Sequence, residues 1–395
     1  MAQLSCYQLL CMKYLKRKIS IASSWFLLVM FSLNDMHAQQ LTPGYNREEL
    51  AEILSVSVRT GSGTRYFTDS NYVASPTRFK RTYSSPELGL MNKWELWTDG
   101  KTTAVITVRG TVPEPDSWLV NFYAAMVPAK GTIVLPGADT VNYQVADHPR
   151  AAVHVGWMIS TAYLSRDIRP RLDSLFAKGY RQLMITGHSQ GGGISYLLTA
   201  FLRQQQKKGE LPAQWQMKTY STAAPKPGNL FFAYDYEAAT AGGWAMNVVN
   251  AADWVPELPI TVQTVADAND VNPFNGVDDM IKKQKIPTRW AARYIYNRIE
   301  KPTRKAQKNF EKYLGKMLGK RVEGKLQGLE VPPFVHSSNY VRTGQTVVLQ
   351  PDAAYYAKYP DSDKQIFVHH FHHPYIYLVK KELLEKPNST IGSTQ

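Results

Sequence analysis

The sequence predicts an α/β fold built on a largely parallel sheet, and three observations carry that expectation. Short β-rich runs alternate with stretches of helical length through the middle of the chain, the pattern of βαβ units. A glycine-rich turn, ITGHSQGGG at 185–193, stands between an apolar run and a helical stretch. The 395 residues are 44% hydrophobic, enough for a sizeable core in one large or two modest domains. No internal repeat or long low-complexity tract interrupts the pattern.

The elements follow in order. Thr42 to Leu54 reads as a helix, with Asn46 as its cap and acids in its first turn. Trp94 to Val108 reads as a hairpin, because two β-rich runs flank Asp99-Gly100. A long helical pattern runs from Ala151 to Lys178 and stops at Gly179. Strand Gln182–Thr186, the glycine turn and a helix from Gly192 to Lys208 come next. Trp215–Ala223 and Trp244–Asn250 are the later strands.

The first 38 residues have the layout of a secretory signal peptide. Lys13, Lys16, Arg17 and Lys18 precede an interrupted apolar stretch, Ile19 to Leu33, and Met36-His37-Ala38 supplies the small residue. Met12 opens a tidier signal than Met1 does, and an uncleaved anchor is the rival reading. The expectation is an exported protein, with one domain over 39–395. Both cysteines, Cys6 and Cys11, fall in or before this segment. A mature chain would have none, which excludes disulfides, thiol catalysis and cysteine-based metal sites. With no cysteine after the apolar stretch to carry a lipid, a lipoprotein is not expected.

The net charge of +14 is concentrated. Between Lys282 and Lys325 there are 15 Lys and Arg against Glu300, Glu311 and Glu323, so this segment carries +12. The candidate leader carries +3, leaving the remainder at −1. The basicity belongs to an insertion at about 265–335 rather than to the fold. No recognition module accompanies it, so nucleic acid is not an expected partner.

Gly187-His188-Ser189-Gln190-Gly191 fits the G-x-S-x-G nucleophile elbow. The motif alone is common, but its strand-to-helix context is what an elbow requires. A serine hydroxyl needs a base to take its proton and a carboxylate to hold that base. In sheets of this type the order is Ser, then Asp or Glu, then His. Asp253 follows a strand directly and fits the acid. The later histidines are His336, His369, His370, His372 and His373. The oxyanion needs fixed N–H donors, and the one after the nucleophile belongs to Gln190.

Five pieces occur in order: ITVRGT (106–111), VHVGW (153–157), ITGHSQGG (185–192), STAAPKPGN (221–229) and VVNAADWVPELP (248–259). Together with the histidine tail they resemble the class 3 lipases, the fungal-lipase-like branch of the α/β-hydrolases. The resemblance implies an α/β-hydrolase fold and a serine lipase or esterase acting on acylglycerol-type esters without a cofactor. It implies Ser189 as nucleophile, Asp253 as orienting acid and His372, five residues before Tyr377-Leu378, as base, with His373 second. Thr111 and Gln190 would form the oxyanion hole. His154 and His188 read as structural. Departures are Val108 where the family has Phe, Asp116-Ser117-Trp118 where it has an Asp-Trp pair, and a long stretch between Asp253 and the histidines.

Fold and triad do not separate hydrolysis from acyl transfer, and a non-catalytic lipid-binding protein on the same scaffold is the rival from another class. The histidine cluster could hold a metal, but its only nearby carboxylates are Asp361 and Asp363. Asp267 to Gly276 is rich in oxygen ligands yet misses the calcium-loop spacing. No metal is therefore expected. Asp116 to Pro128 reads as a lid or as an ordinary surface helix. Phe310, Tyr313, Leu314, Met317 and Leu318 fall at helical spacing among lysines, so 310–322 is a candidate helix for peripheral contact with an anionic membrane. A helix docked on the domain with its charges in solvent is the alternative.

Overall fold

The computed structural model describes residues 40–60 and 73–385. The candidate signal peptide lies outside the described residues. The described residues from Pro43 onward make one compact unit.

Its centre is a seven-stranded sheet: β1 (Lys80–Ser84), β2 (Trp94–Thr98), β3 (Thr103–Val108), β4 (Gln182–His188), β5 (Gln216–Thr222), β6 (Ala245–Asn250) and β7 (Gln345–Leu349). The strands lie side by side in chain order. β1, β2 and β3 pair antiparallel; β3 through β7 pair parallel. The sheet is thus mostly parallel and flanked by helices, as the sequence predicts. The β2–β3 hairpin forms at Asp99, whose Oδ1 accepts the N–H groups of Lys101, Thr102 and Thr103 at 2.9–3.0 Å. All residues of β3, β4 and β6 are buried, so both faces of the sheet are covered.

Helix α1 (Arg47–Ser57) is capped by Asn46, whose Oδ1 accepts Glu49 N–H at 2.8 Å. α2 (Pro115–Phe122) follows the loop after β3. α3 spans Val155–Ala177 and α4 spans Gln190–Lys207. α5 (Leu230–Ala239) packs on α4, and α4 lies against β3, β4 and β5. α6 (Thr288–Phe310) runs through the basic segment and continues into a π-helical stretch, Glu311–Met317, and a short helix, Leu318–Lys325. α7 (His372–Glu385) packs on α1, where Tyr45 and Arg47 both bond Glu382 at 3.1 Å.

Four β-strands are too short for periodicity to reveal. Met126–Pro128, Ala152–His154, Gly228–Asn229 and Tyr340–Val341 form a second sheet. The predicted helix from Ala151 therefore starts four residues later. Strand pairing claims Ala152–His154, with Val153 opposite Val127 and Gly228.

The apolar stripe of 310–325 is turned onto the domain. Val322 is buried, Phe310 packs on Tyr340, and Leu314 O accepts Ala124 N–H at 3.1 Å. A side chain at Gly315 would meet Ala125 Cβ at 2.8 Å, so the helix approaches too closely for anything but glycine. Tyr313 and Met317 point outward. The sequence grouped all five apolar residues on one face; the π-helical stretch, with its longer period, splits them.

Candidate active site

Parallel strands end on one edge, and loops that leave that edge carry the site. β3 and β4 pair with Val108 opposite Gly187. That register sets Arg109-Gly110-Thr111 directly against the turn after β4. A Cβ on Gly110 would lie 2.9 Å from His188 O and 3.7 Å from Ser189 Cβ.

Ser189 sits at φ 60°, ψ −128°, a conformation L-residues rarely adopt. It is held by backbone bonds at both ends: Ser189 N–H to Thr222 O and Gly193 N–H to Ser189 O, each 3.0 Å. The glycines make the turn possible. A Cβ on Gly187 would fall 2.2 Å from Gly191 C, and one on Gly191 would fall 2.2 Å from Val108 O. Among the described residues, none takes or gives a hydrogen bond at Ser189 Oγ. The hydroxyl faces a cavity of about 1270 Å³.

Asp253 comes three residues after β6 and is buried. Its Oδ1 accepts Val255 N–H at 3.0 Å; its Oδ2 accepts Tyr375 O–H at 2.7 Å and His370 Nδ1–H at 2.8 Å. Burial alone would raise its proton affinity. The opposed charge of His370 and these hydrogen bonds outweigh burial and hold the carboxyl below its ordinary range. The carboxylate is acceptor only, so His370 carries its neutral-form proton on Nδ1 and keeps Nε2 as the basic nitrogen. His370 lines the same cavity as Ser189.

The sequence reading placed the base at His372, and the structure does not bring His372 to Asp253. Its Nε2 meets Ser57 Oγ at 3.2 Å, and its ring stacks on His188 at 3.9 Å. Desolvation, then the neighbouring His188, pushes its pKa well below the ordinary 6.5. The reason is positional: residue 372 opens α7, whereas residue 370 lies in the turn before it, closed by His370 N–H to Phe367 O at 2.9 Å. The tyrosine that matters is Tyr375, one helical turn into α7 and bonded to Asp253.

The other histidines have separate partners. His369 Nδ1 meets Tyr355 Oη and its Nε2 meets Asp361, each at 2.8 Å. His373 stacks on Phe371, and burial brings its pKa down to about 4. His188, under the elbow, is brought down to about 3 by burial and by the charge of His370. It is therefore neutral. Its Nε2–H donates to His370 O at 2.6 Å, and Thr222 Oγ1 meets its Nδ1 at 2.9 Å. Ser189, next in the chain to His188, is thus tied to the His370 backbone through the His188 side chain. No sequence signal pointed to that tie.

Thr111 lies on the cavity wall with Gln190. Its hydroxyl donates to Gln190 Oε1 at 2.9 Å and accepts from Asn121 Nδ2 at 2.8 Å. Asn121 in turn accepts Trp157 Nε1–H at 3.2 Å and, through its carbonyl, His154 Nε2–H at 3.1 Å. His154 is fully buried and neutral, brought down to about 3 by desolvation. The chain His154–Asn121–Thr111–Gln190 fixes both loops. With its proton committed to Gln190, the Thr111 hydroxyl leaves the backbone N–H as the donor to an anion here. Gln190 N–H is the first of α4 and has no carbonyl one turn back within the helix.

Residues 105–263 match the sequence profile of Lipase (class 3). Over this stretch the chain is similar to the class 3 lipase family. The family is one of serine carboxylic-ester hydrolases, and a lipid ester is the substrate class it implies. No curated protein matches the chain. Among solved structures, Rhizomucor miehei triacylglyceride lipase is 22% identical, with 55% of this chain and 77% of that one covered at TM-score 0.40. Lip2 lipase from Yarrowia lipolytica is 18% identical, covering 56% and 77% at TM-score 0.41. The lipase of Rhizopus microsporus var. chinensis is 22% identical, covering 54% and 69% at TM-score 0.38. The profile spans the elbow, the oxyanion turn and Asp253; His370 and the basic segment lie beyond it.

The cavity is mostly apolar. Trp118 and Phe122 from α2, Trp254, Phe310, Leu314 and Phe367 form its walls. Asp116 to Pro128 is thus a wall helix followed by a strand. Among the described residues, no group of three or more His, Cys, Asp or Glu is arranged to hold a metal ion.

Proposed function

We propose that the chain is an exported serine lipase or esterase that cleaves acylglycerol-type esters through an acyl-enzyme on Ser189. The observation that carries this reading is the Asp253–His370 pair set beside the strained Ser189 turn at the wall of a large apolar cavity. His370 Nε2 takes the proton as Ser189 Oγ attacks the ester carbonyl, and Asp253 stabilises the imidazolium. The backbone N–H groups of Thr111 and Gln190 face the developing oxyanion. Collapse breaks the ester C–O bond, and His370 returns the proton to the leaving alcohol. Water, deprotonated by the same ring, then attacks the acyl-enzyme and frees the acid and Ser189. The apolar walls suit an acyl chain, and the cavity exceeds the roughly 300–1,000 Å³ of ordinary small-molecule sites.

Export rests on the layout of residues 1–38 alone. Cleavage after that segment in the secreted or periplasmic fraction tests it. The catalytic reading is tested with purified mature protein and Ser189→Ala on a panel of p-nitrophenyl esters and emulsified triacylglycerol. Wild-type turnover and loss of nearly all of it in Ser189→Ala are expected. A residual rate within about tenfold of wild type would remove Ser189 from the chemistry, since triad serines are worth about a millionfold. Release of free acid rather than a new ester, with an alcohol present, separates hydrolysis from acyl transfer.

A further inference from the structure

We infer that α6 is the element that docks this enzyme on an anionic lipid surface, with 301–308 as its electrostatic contact and 290–299 as its inserted face. The proposal rests on the lipid-ester reading and names the surface from which that site is fed. The stretch the sequence suggested, 310–322, has its apolar stripe turned onto the domain. Tyr313 and Met317 apart, the uncovered apolar side chains of the basic segment's helices lie one helix earlier. Trp290 is 67% exposed, Tyr294 62%, Ile295 58% and Ile299 66%. They occupy about 14 Å of helix at the usual rise, and the buried side of α6 carries Glu300 and Gln307 instead. Isolated exposed apolar residues are ordinary, but four large ones on one helix mark a partner surface.

Charge says which partner. Lys301, Lys305 and Lys308 follow directly, are exposed, and have no carboxylate partner among the described residues. In the whole basic segment, five of the cations are ion-paired: Lys282 with Asp279, Arg293 with Asp278, Arg304 with Glu300, Lys316 with Glu311 and Lys325 with Asp116. The surplus of positive charge beside an apolar face with Trp and Tyr fits an interface of anionic head groups over acyl chains. Continuity with the site supports the same occupant. The last turn of α6 contributes Ala306, Asn309 and Phe310 to the cavity wall, so the docking helix is also a side of the chamber that holds Ser189. Exposed Phe122 and Ile260 line the same cavity.

The test is sedimentation with vesicles of phosphatidylglycerol and phosphatidylcholine, against vesicles of phosphatidylcholine alone. Wild type and Ser189→Ala should bind the anionic vesicles equally, which keeps docking separable from catalysis. A cation near an anionic surface is worth about fivefold in binding at low salt. Lys301→Gln/Lys305→Gln/Lys308→Gln should therefore weaken binding by at least about tenfold and remove most of its salt dependence. Trp290→Ser/Tyr294→Ser/Ile299→Ser should weaken binding to a similar extent with the salt dependence kept. Both variants should hydrolyse a soluble short-chain ester at the wild-type rate, the check that they fold. Undiminished vesicle binding by both, or equal binding of wild type to neutral and anionic vesicles, would overturn the proposal. So would concentration-dependent dimerisation of wild type that the serine variant abolishes, since a second copy would then cover the face. Vesicle binding by a wild-type protein that hydrolyses no ester would overturn the catalytic reading and leave docking standing.

Discussion

At Asp253, burial raises proton affinity while the charge of His370 and the hydrogen bonds to the carboxylate lower it, and the lowering wins. The result is a carboxylate that stays charged and faces a single ring nitrogen, His370 Nδ1. Removing that ring removes the only base so held. His370→Ala should lower kcat on the order of 10⁵- to 10⁶-fold, as far as Ser189→Ala does. His372→Ala should stay within about tenfold, because it loses stacking and a neutral hydrogen bond of about 1 kcal/mol. Kinetics on a soluble ester with both variants decide; a dead His372→Ala beside an active His370→Ala would reverse the assignment. Ser189 and Asp253 were legible because each follows a buried strand whose run the sequence announces. His370 was not. Four histidines crowd into five residues of an irregular turn, and no periodicity tells which ring faces the carboxylate. Only the fold, through Tyr375 and His188, makes that choice.

The elements that position the site meet at glycines. α4 crosses β3 so closely that Gly191 has Val108 O where a methyl group would go. Gly191→Ala must push the helix off the sheet, at about 3 kcal/mol or more, and should depress both the urea midpoint and activity. Gly324 is the contrast. It lies in the exposed end of Leu318–Lys325 with open space around it, so Gly324→Ala should gain about 0.5–1 kcal/mol by restricting the unfolded chain. Shifts of opposite sign in the denaturation midpoint, the downward one for Gly191→Ala several times the larger, check the pair; a stable Gly191→Ala would refute the close crossing. The long buried strands and the long helices were readable, since their apolar runs exceed any turn. The second sheet was not, because strands of two or three residues leave no period. Its Ala152–His154 strand was absorbed into the helix that follows.

At the scale of the whole molecule, His154 and His188 are imidazoles buried without a carboxylate partner among the described residues, and they hold their neutral forms down to about pH 3. In the unfolded chain the same groups take a proton near the ordinary 6.5. Between these values the unfolded state binds more protons, so stability must fall as the pH falls through that window. Above 6.5 neither state gains a proton and the contribution is complete. Each ring costs about 1.4 kcal/mol per pH unit inside the window. By pH 4.5 the two together remove about 5 kcal/mol, comparable with the whole stability of many domains at about 5–15 kcal/mol. His372 and His373, both shifted down by desolvation, act in the same direction. The protein should therefore unfold on mild acidification well before its carboxylates titrate. Urea midpoints from pH 7 to pH 4.5 measure this, and the slope rather than the level is diagnostic. His154→Gln should be less stable at pH 7, having lost packing on Trp157, yet its curve should be flatter by about one proton. Curves of equal slope for wild type and His154→Gln would mean that this ring is charged in the folded state. The Trp157 backbone N–H, which donates to the neutral Nδ1, would then need a different acceptor.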